Sequence, residues 1–288
     1  MNNSSSIKLL LGIPALLLSA LALPLSSSAE EYLSAEQIGA ISAASVGIHL
    51  LGTGIRNSAQ NGKSLINGPI LFDAKLQKIL GGDCRPGKTN FLDNPTGSAV
   101  TPIATGLMLF ASDMSWPETN KKGNFVAQDV FLFSSGLLAT KGITGLAKGL
   151  VKRERPLPCL EPDIAGLRNN VDSAYDQSSF FSGHTSGAFF SAVYVNKRLR
   201  SIMRHQLSPD EYGSWRWAPP TILFSWASFV GWSRIHAYKH YFTDVAAGAL
   251  AGFLVAQLFY SFNDYQEDGG VTPLSSASNQ IFSIRFTF

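Results

Sequence analysis

The chain has 288 residues, of which 45% are hydrophobic and only 15% charged, well below the usual quarter. That balance excludes extensive disorder. A net charge of +3 is too small to suggest a nucleic-acid partner, and two cysteines exclude a disulfide-dense scaffold and a four-cysteine zinc site.

Residues 1–29 read as a secretory signal peptide. Lys8 closes a polar start, an apolar run covers Leu9 to Leu23, and Ser27-Ser28-Ala29 supplies small residues for cleavage near Ala29. An uncleaved anchor is the alternative, but the run is short for a span and holds Pro14. Export implies the periplasm or cell envelope, an oxidising setting in which Cys84 and Cys159 can pair. That bridge would close a loop of roughly 75 residues and contribute about 4 kcal/mol in the chain-entropy model. Two unpaired thiols fit the sequence equally well.

Residues 30–99 form an N-terminal helical and loop segment expected to pack on the core. Ser34 caps a helix over 34–51, residues 52–66 are Gly/Asn/Ser-rich and loop-like, and a short helix covers about 71–80. Gly81 opens a turn-rich loop that runs to about Gly97. The main domain spans 100–262. Apolar helical stretches are expected at about 99–113 and 124–151, and Pro156 and Pro158 lie beyond the second. Residues 157–180 are a long Asp/Asn/Ser-rich loop of the kind that usually carries function.

A helix starts near Gly183–Thr185 and ends in the basic segment from Lys197 to Arg204, read as a solvated helix end or a contact for anionic lipid. Ser208-Pro209-Asp210-Glu211 is a capping box with Pro at the first helical position. Helices follow at about 219–236 and 241–262. Residues 263–288 are a polar linker and a β-like tail, in which Phe282, Ile284, Phe286 and Phe288 alternate with polar residues.

The fold class is therefore all-α, a compact helical bundle with a short β-like C-terminal tail. A mean hydropathy of +0.09 leaves soluble and membrane-embedded forms open. Val245–Phe262 and Trp217–Ser233 lack charges but sit at or just below span length, and Asp129 and Lys141 are costly at mid-bilayer. A soluble helical core is favoured, with membrane association as the alternative. Gly145/Gly149 and Gly248/Gly252 are small-x-x-x-small pairs that allow close helix packing in either setting.

Three segments concentrate reactive residues beside apolar helices. They are Lys148-x6-Arg155-Pro156, then Ser182-Gly183-His184, then Ser233-Arg234-x5-His240-x3-Asp244. Lys148, Arg155 and Arg234 are cations on separate segments which, if they converge, neutralise a phosphoryl group. Ser182 and Gly183 open a helix, where free amides and the helix dipole favour an anion. His240 and Asp244 are four apart and would share one helix face, the carboxylate fixing the imidazole tautomer. His184 is then the second acid–base group. Each segment alone is a common surface feature; the three in order are not.

Together they resemble the three-part signature of the type 2 phosphatidic-acid phosphatase and vanadium haloperoxidase superfamily. Phe181 stands where that signature has proline before Ser-Gly-His, which bears on the turn rather than on a reactive group. The resemblance covers about residues 100–262. It implies an all-α bundle that hydrolyses phosphate monoesters or lipid pyrophosphates without metal or other cofactor. His240 would form a phosphohistidine, Asp244 would orient it, and His184 would protonate the leaving group and then activate water. Lys148, Arg155, Ser182, Gly183 and Arg234 would hold the phosphoryl oxygens.

The expected partner is a phosphorylated small molecule or lipid, with membrane association as an option. Two other functions share these residues. A vanadium haloperoxidase would bind vanadate on His240, and a non-catalytic envelope protein would keep only the fold. His236, four residues before His240, makes a two-histidine metal site conceivable, but no third ligand at suitable spacing accompanies it.

Overall fold

The computed structural model describes residues 33–59, 65–82, 98–115, 122–156 and 178–263, with side chains described from residue 126 onward in the fourth of these segments. The signal peptide, Cys84 and Cys159, the loop 157–177 and the β-like tail all lie outside the described residues.

The helices in chain order are α1 Ala35–Ser58, α2 Asp73–Leu80, α3 Val100–Met114, α4 Lys122–Val151, α5 Gly183–Gln206, α6 Pro209–Trp215, α7 Ala218–His236 and α8 Phe242–Tyr260. Among the described residues there is no strand; one isolated parallel bridge joins Ile66 to Arg153. The fold is all-α, as the sequence predicts.

The local signals act where they were expected. Ser34 caps α1 in a full capping box with Gln37, and Ser208 does the same for α6 with Glu211. One boundary differs: α1 continues through the Gly/Asn/Ser-rich stretch to Ser58. Packing explains it. Gly52, in that stretch, lies so close to α4 that a Cβ there would collide with the Gly142 carbonyl oxygen, and the backbone of Gly52 faces Gly145. Contact between the helix backbones outweighs the weak helix propensity of the segment.

The central element is α5, which packs against α3, α4, α7 and α8. Its Phe190, Val193, Tyr194 and Val195 join Leu132, Phe133 and Ile143 of α4 and Val255 and Phe259 of α8 in the main apolar cluster. The rings of Phe133, Phe190 and Tyr194 lie 5.6–5.9 Å apart in tilted, edge-on and stacked pairs. The α5–α8 contact is backbone-close. A Cβ at Gly248 would stand 2.6 Å from the Ser182 carbonyl oxygen, and one at Gly252 would stand 2.8 Å from the Phe190 amide nitrogen. Both small-residue pairs singled out in the sequence therefore serve helix packing.

The basic segment at the end of α5 is not simply a solvated end. Arg198 is fully buried, its Nε 2.6 Å from Asp113 of α3 and 2.7 Å from Asp129 of α4. The helical period turns Arg198 inward together with Ser201 and Ile202. His205, just beyond the basic segment, is exposed.

Ala35–Ser58, Val126–Val151 and Phe242–Tyr260 are long and apolar enough to cross a membrane. Much of the outer surface is apolar too: Leu50 and Leu51 of α1, Ile103 and Leu107 of α3 and Ile222 of α7 are exposed. Trp215 and Trp217, at the α6–α7 junction, are also exposed.

Candidate active site

All three sequence motifs end at one pole of the bundle, each at a helix terminus. Lys148 lies in the last turn of α4, and Arg155 follows in the extended segment after it. Ser182 is the N-cap of α5, so Gly183 and His184 form its first turn. Arg234 lies in the last turn of α7, and Asp244 in the first turn of α8. The linkers within the first and third motifs each hold a left-handed non-glycine residue, Lys152 with φ 45° and Tyr238 with φ 53°. Such backbone costs on the order of 1–2 kcal/mol per residue, so the surrounding packing must impose it.

The relation of His240 to Asp244 differs in origin from the expectation. They do not share a helix face, because His240 lies in the loop before α8. Asp244 turns back as a capping residue and accepts the Tyr241 amide at 2.9 Å. That bend brings its Oδ2 to 3.8 Å from His240 Nδ1, longer than a hydrogen bond. Nδ1 of His240 faces the carboxylate, so Nε2 lies on the far side of the ring from it.

Lys148 and Arg155 converge. Lys148 Nζ donates to the Ser178 carbonyl at 2.5 Å, and Arg155 Nη2 reaches the same oxygen at 3.4 Å. Arg155 Nη1 donates to the carbonyl of Lys239, the residue before His240, at 2.7 Å. The amides of Lys239 and His240 both bond the Arg234 carbonyl, at 3.0 and 3.3 Å. Arg234 is buried, with Nε 3.1 Å from Ser233 Oγ. The Ser182 amide donates to the Asp244 carbonyl at 3.1 Å, which ties the second motif to the third. Ser182 Oγ accepts from the Thr185 hydroxyl at 2.9 Å and caps the helix. His184 is half-buried, two residues further along. Phe181 is fully buried, and the peptide bond before it is cis.

Burial lowers the His240 pKa from 6.5 to about 3, and the nearby charges of Arg155 and Lys148 push the same way against Asp244. The imidazole is therefore neutral and able to act as a nucleophile at ordinary pH.

Several residues that hold the site carry no sequence signal. Ser179 Oγ donates to Asp244 Oδ2 at 2.5 Å. Arg153, within the six-residue gap of the first motif, donates from Nη1 to Asp244 Oδ1 at 2.7 Å and from Nη2 to Asp73 Oδ2 at 2.6 Å. A serine in a serine-rich loop and an arginine in a basic run look like solvated residues. Only the tertiary contact distinguishes them.

His236, the residue considered for a metal pair, has its ring 4.8 Å from that of Trp232, tilted by 35°. Among the described residues no group of three or more His, Cys, Asp or Glu is arranged to hold a metal ion.

Residues 129–268 match the PAP2 superfamily. The chain is 33% identical over 197 residues to phospholipid phosphatase 2 of Homo sapiens, covering 56% of this chain and 63% of that one. It is 38% identical over 86 residues to probable diacylglycerol pyrophosphate phosphatase 1 of Schizosaccharomyces pombe, covering 28% and 29%. Phospholipid phosphatase 1 of Rattus norvegicus is 30% identical over 153 residues, 46% of this chain and 51% of that one. The chain thus spans less than two thirds of each of these relatives. No solved structure matches it.

Proposed function

The chain carries a PAP2 superfamily domain at residues 129–268, and on that footing we propose that it hydrolyses lipid phosphates or pyrophosphates at the cell envelope through a phosphohistidine, without a metal. One observation carries the reading. Lys148, Arg155 and the His240–Asp244 pair meet at the pole where α5 begins with Ser182 and Gly183. A phosphoryl group there would meet cations, helix-terminal amides and a neutral imidazole together.

In this mechanism His240 Nε2 attacks phosphorus as the bond to the leaving oxygen breaks. His184 gives its proton to that oxygen. Water then attacks phosphorus as the phosphorus–nitrogen bond breaks, His184 takes its proton, and inorganic phosphate leaves with His240 restored. Asp244 holds the imidazole and offsets the positive charge it gains. Lys148, Arg155, Ser182, Gly183 and Arg234 bind the equatorial oxygens, whose charge must be stabilised most in the transition state.

A lipid substrate fits the relatives named as phospholipid and diacylglycerol pyrophosphate phosphatases. It also fits three helices long enough to cross a bilayer and the exposed apolar surface around them. In this reading the apolar outer face meets lipid, and Trp215 and Trp217 lie at the water boundary. A soluble phosphomonoester would enter the same pole.

The test is phosphate release from phosphatidate, a prenyl pyrophosphate and p-nitrophenyl phosphate by the full chain in mild detergent with EDTA throughout. We expect lipid turnover that survives EDTA and falls by about a thousandfold or more in His240→Ala. Undiminished turnover in His240→Ala would overturn the assignment. Loss of wild-type turnover on EDTA addition would overturn the metal-free mechanism.

A further inference from the structure

The segment that precedes the PAP2 domain reaches into the site. Asp73 opens α2, far upstream of residue 129, where the family match begins. It is completely buried, and so are Arg153 and Asp244. Arg153 forks between the two carboxylates, 2.6 Å from Asp73 and 2.7 Å from Asp244. Its Nη1 also donates to Thr243 Oγ1 at 2.7 Å, and its guanidinium lies 4.3 Å from the centre of the Tyr241 ring.

Asp73 in turn holds the start of α8. Its Oδ1 accepts the Thr243 amide at 3.0 Å, and its Oδ2 the Thr243 hydroxyl at 2.7 Å. The approach is backed by main chain: Ile66 and Arg153 form a parallel bridge, and the Glu154 amide donates to the Ile66 carbonyl at 3.3 Å. Nearby, Gln77 Nε2 donates to the Ile235 carbonyl at 2.8 Å, and the Gly82 amide to that of His236 at 3.0 Å.

A buried ion pair of this kind does not justify itself by stability, since desolvating three charges costs about what their attraction returns. It does fix one carboxylate oxygen of Asp244 and leave the other toward His240. We infer that Asp73 and Arg153 are positioning residues for the His240–Asp244 pair, so that the upstream segment is a working part of the hydrolytic site. The inference rests on His240 being the nucleophile.

Charge makes the two residues separable. Asp73, Arg153 and Asp244 sum to one negative charge. Asp73→Asn leaves none and Arg153→Gln leaves two, while the double substitution restores one. The other charged or titratable groups around the pair are Lys148 from α4, Arg155 and Glu154 after it, His184 from α5, and Arg234, Lys239 and Tyr241 flanking His240. None of them changes in these variants.

The experiment is the pH profile of kcat/KM for the three variants and wild type, with nitrogen-15 histidine titration of the same proteins by NMR. His240→Ala assigns the His240 signal. Arg153→Gln should move the His240 titration, and with it the acid limb, several tenths of a unit or more to higher pH. Asp73→Asn should move both to lower pH, and the double variant should return toward wild type. Arg153→Lys keeps the charge but not the fork, so kcat should fall about 10- to 100-fold with KM within twofold and no displacement.

Displacement of both single variants in one direction, or of neither, overturns the inference, because a purely structural role lowers amplitude without opposite shifts. If Arg153→Gln does not fold, Asp73→Asn against Arg153→Lys makes the same distinction. The titration needs no turnover. A wild-type chain that hydrolyses nothing overturns the proposed function, while the positioning claim is still decided by the imidazole.

Discussion

The His240 imidazole is packed where two cations face it and one carboxylate stands beside it, and burial sets its protonation. Its folded pKa of about 3 lies below the unfolded value of 6.5. Between these values the unfolded chain binds the extra proton, so stability is complete above about 6.5 and is lost as the pH falls toward 3. Acidification from pH 6.5 to about pH 5 should cost about 2 kcal/mol from this one group. Unfolding midpoints measured at the two pH values would show it, and His240→Ala should remove that part of the dependence. On the proposed function a bound phosphate dianion would compensate Lys148 and Arg155 and oppose the trend, so orthovanadate should flatten the acid loss.

At the scale of elements, the site depends on how closely α5 and α8 approach. Gly248 lies against the Ser182 carbonyl, and the Ser182 amide bonds the Asp244 carbonyl. Gly248→Ala should therefore push the N-terminus of α5 from the start of α8 and lower kcat about tenfold or more, since displacement of about 1 Å is enough for that. Gly47, in α1, has open space around the Cβ position. Gly47→Ala should leave turnover unchanged and raise stability by up to about 1 kcal/mol. Turnover and thermal unfolding of the two variants make the comparison.

The helices themselves were legible in the chain. Ser34, Ser208 and Pro209 mark their starts, and apolar periodicity their extent. The tail of α1 was not legible, because what holds residues 52–58 helical is α4 rather than their own propensity.

Over the whole molecule, two buried charge networks lie far apart along α5. One is the Asp73–Arg153–Asp244 fork near Ser182. The other joins Arg198 to Asp113 and Asp129, sixteen residues further along the helix, roughly 24 Å at helical rise. Asn263 extends the second network, 2.6 Å from Asp129 and 3.0 Å from the Tyr194 hydroxyl. Arg198→Met leaves two carboxylates buried without their cation and should cost about 3–5 kcal/mol of stability. Below its unfolding temperature the variant should still turn over substrate, because the network is distant from His240. Thermal unfolding followed by an assay at low temperature would separate the two effects.

The chain by itself determined the helical class, most helix boundaries and the candidate site motifs, since caps, prolines and apolar spacing act locally and the three motifs are read in order along the chain. Only the tertiary structure decided which charges are compensated. Asp73, Arg153, Ser179 and Arg198 look like ordinary polar residues in sequence, and their roles come from partners 65 to 170 positions away. Burying a charge is tolerable only beside its partner, and which partners meet is set by the packing of the bundle rather than by any neighbour along the chain.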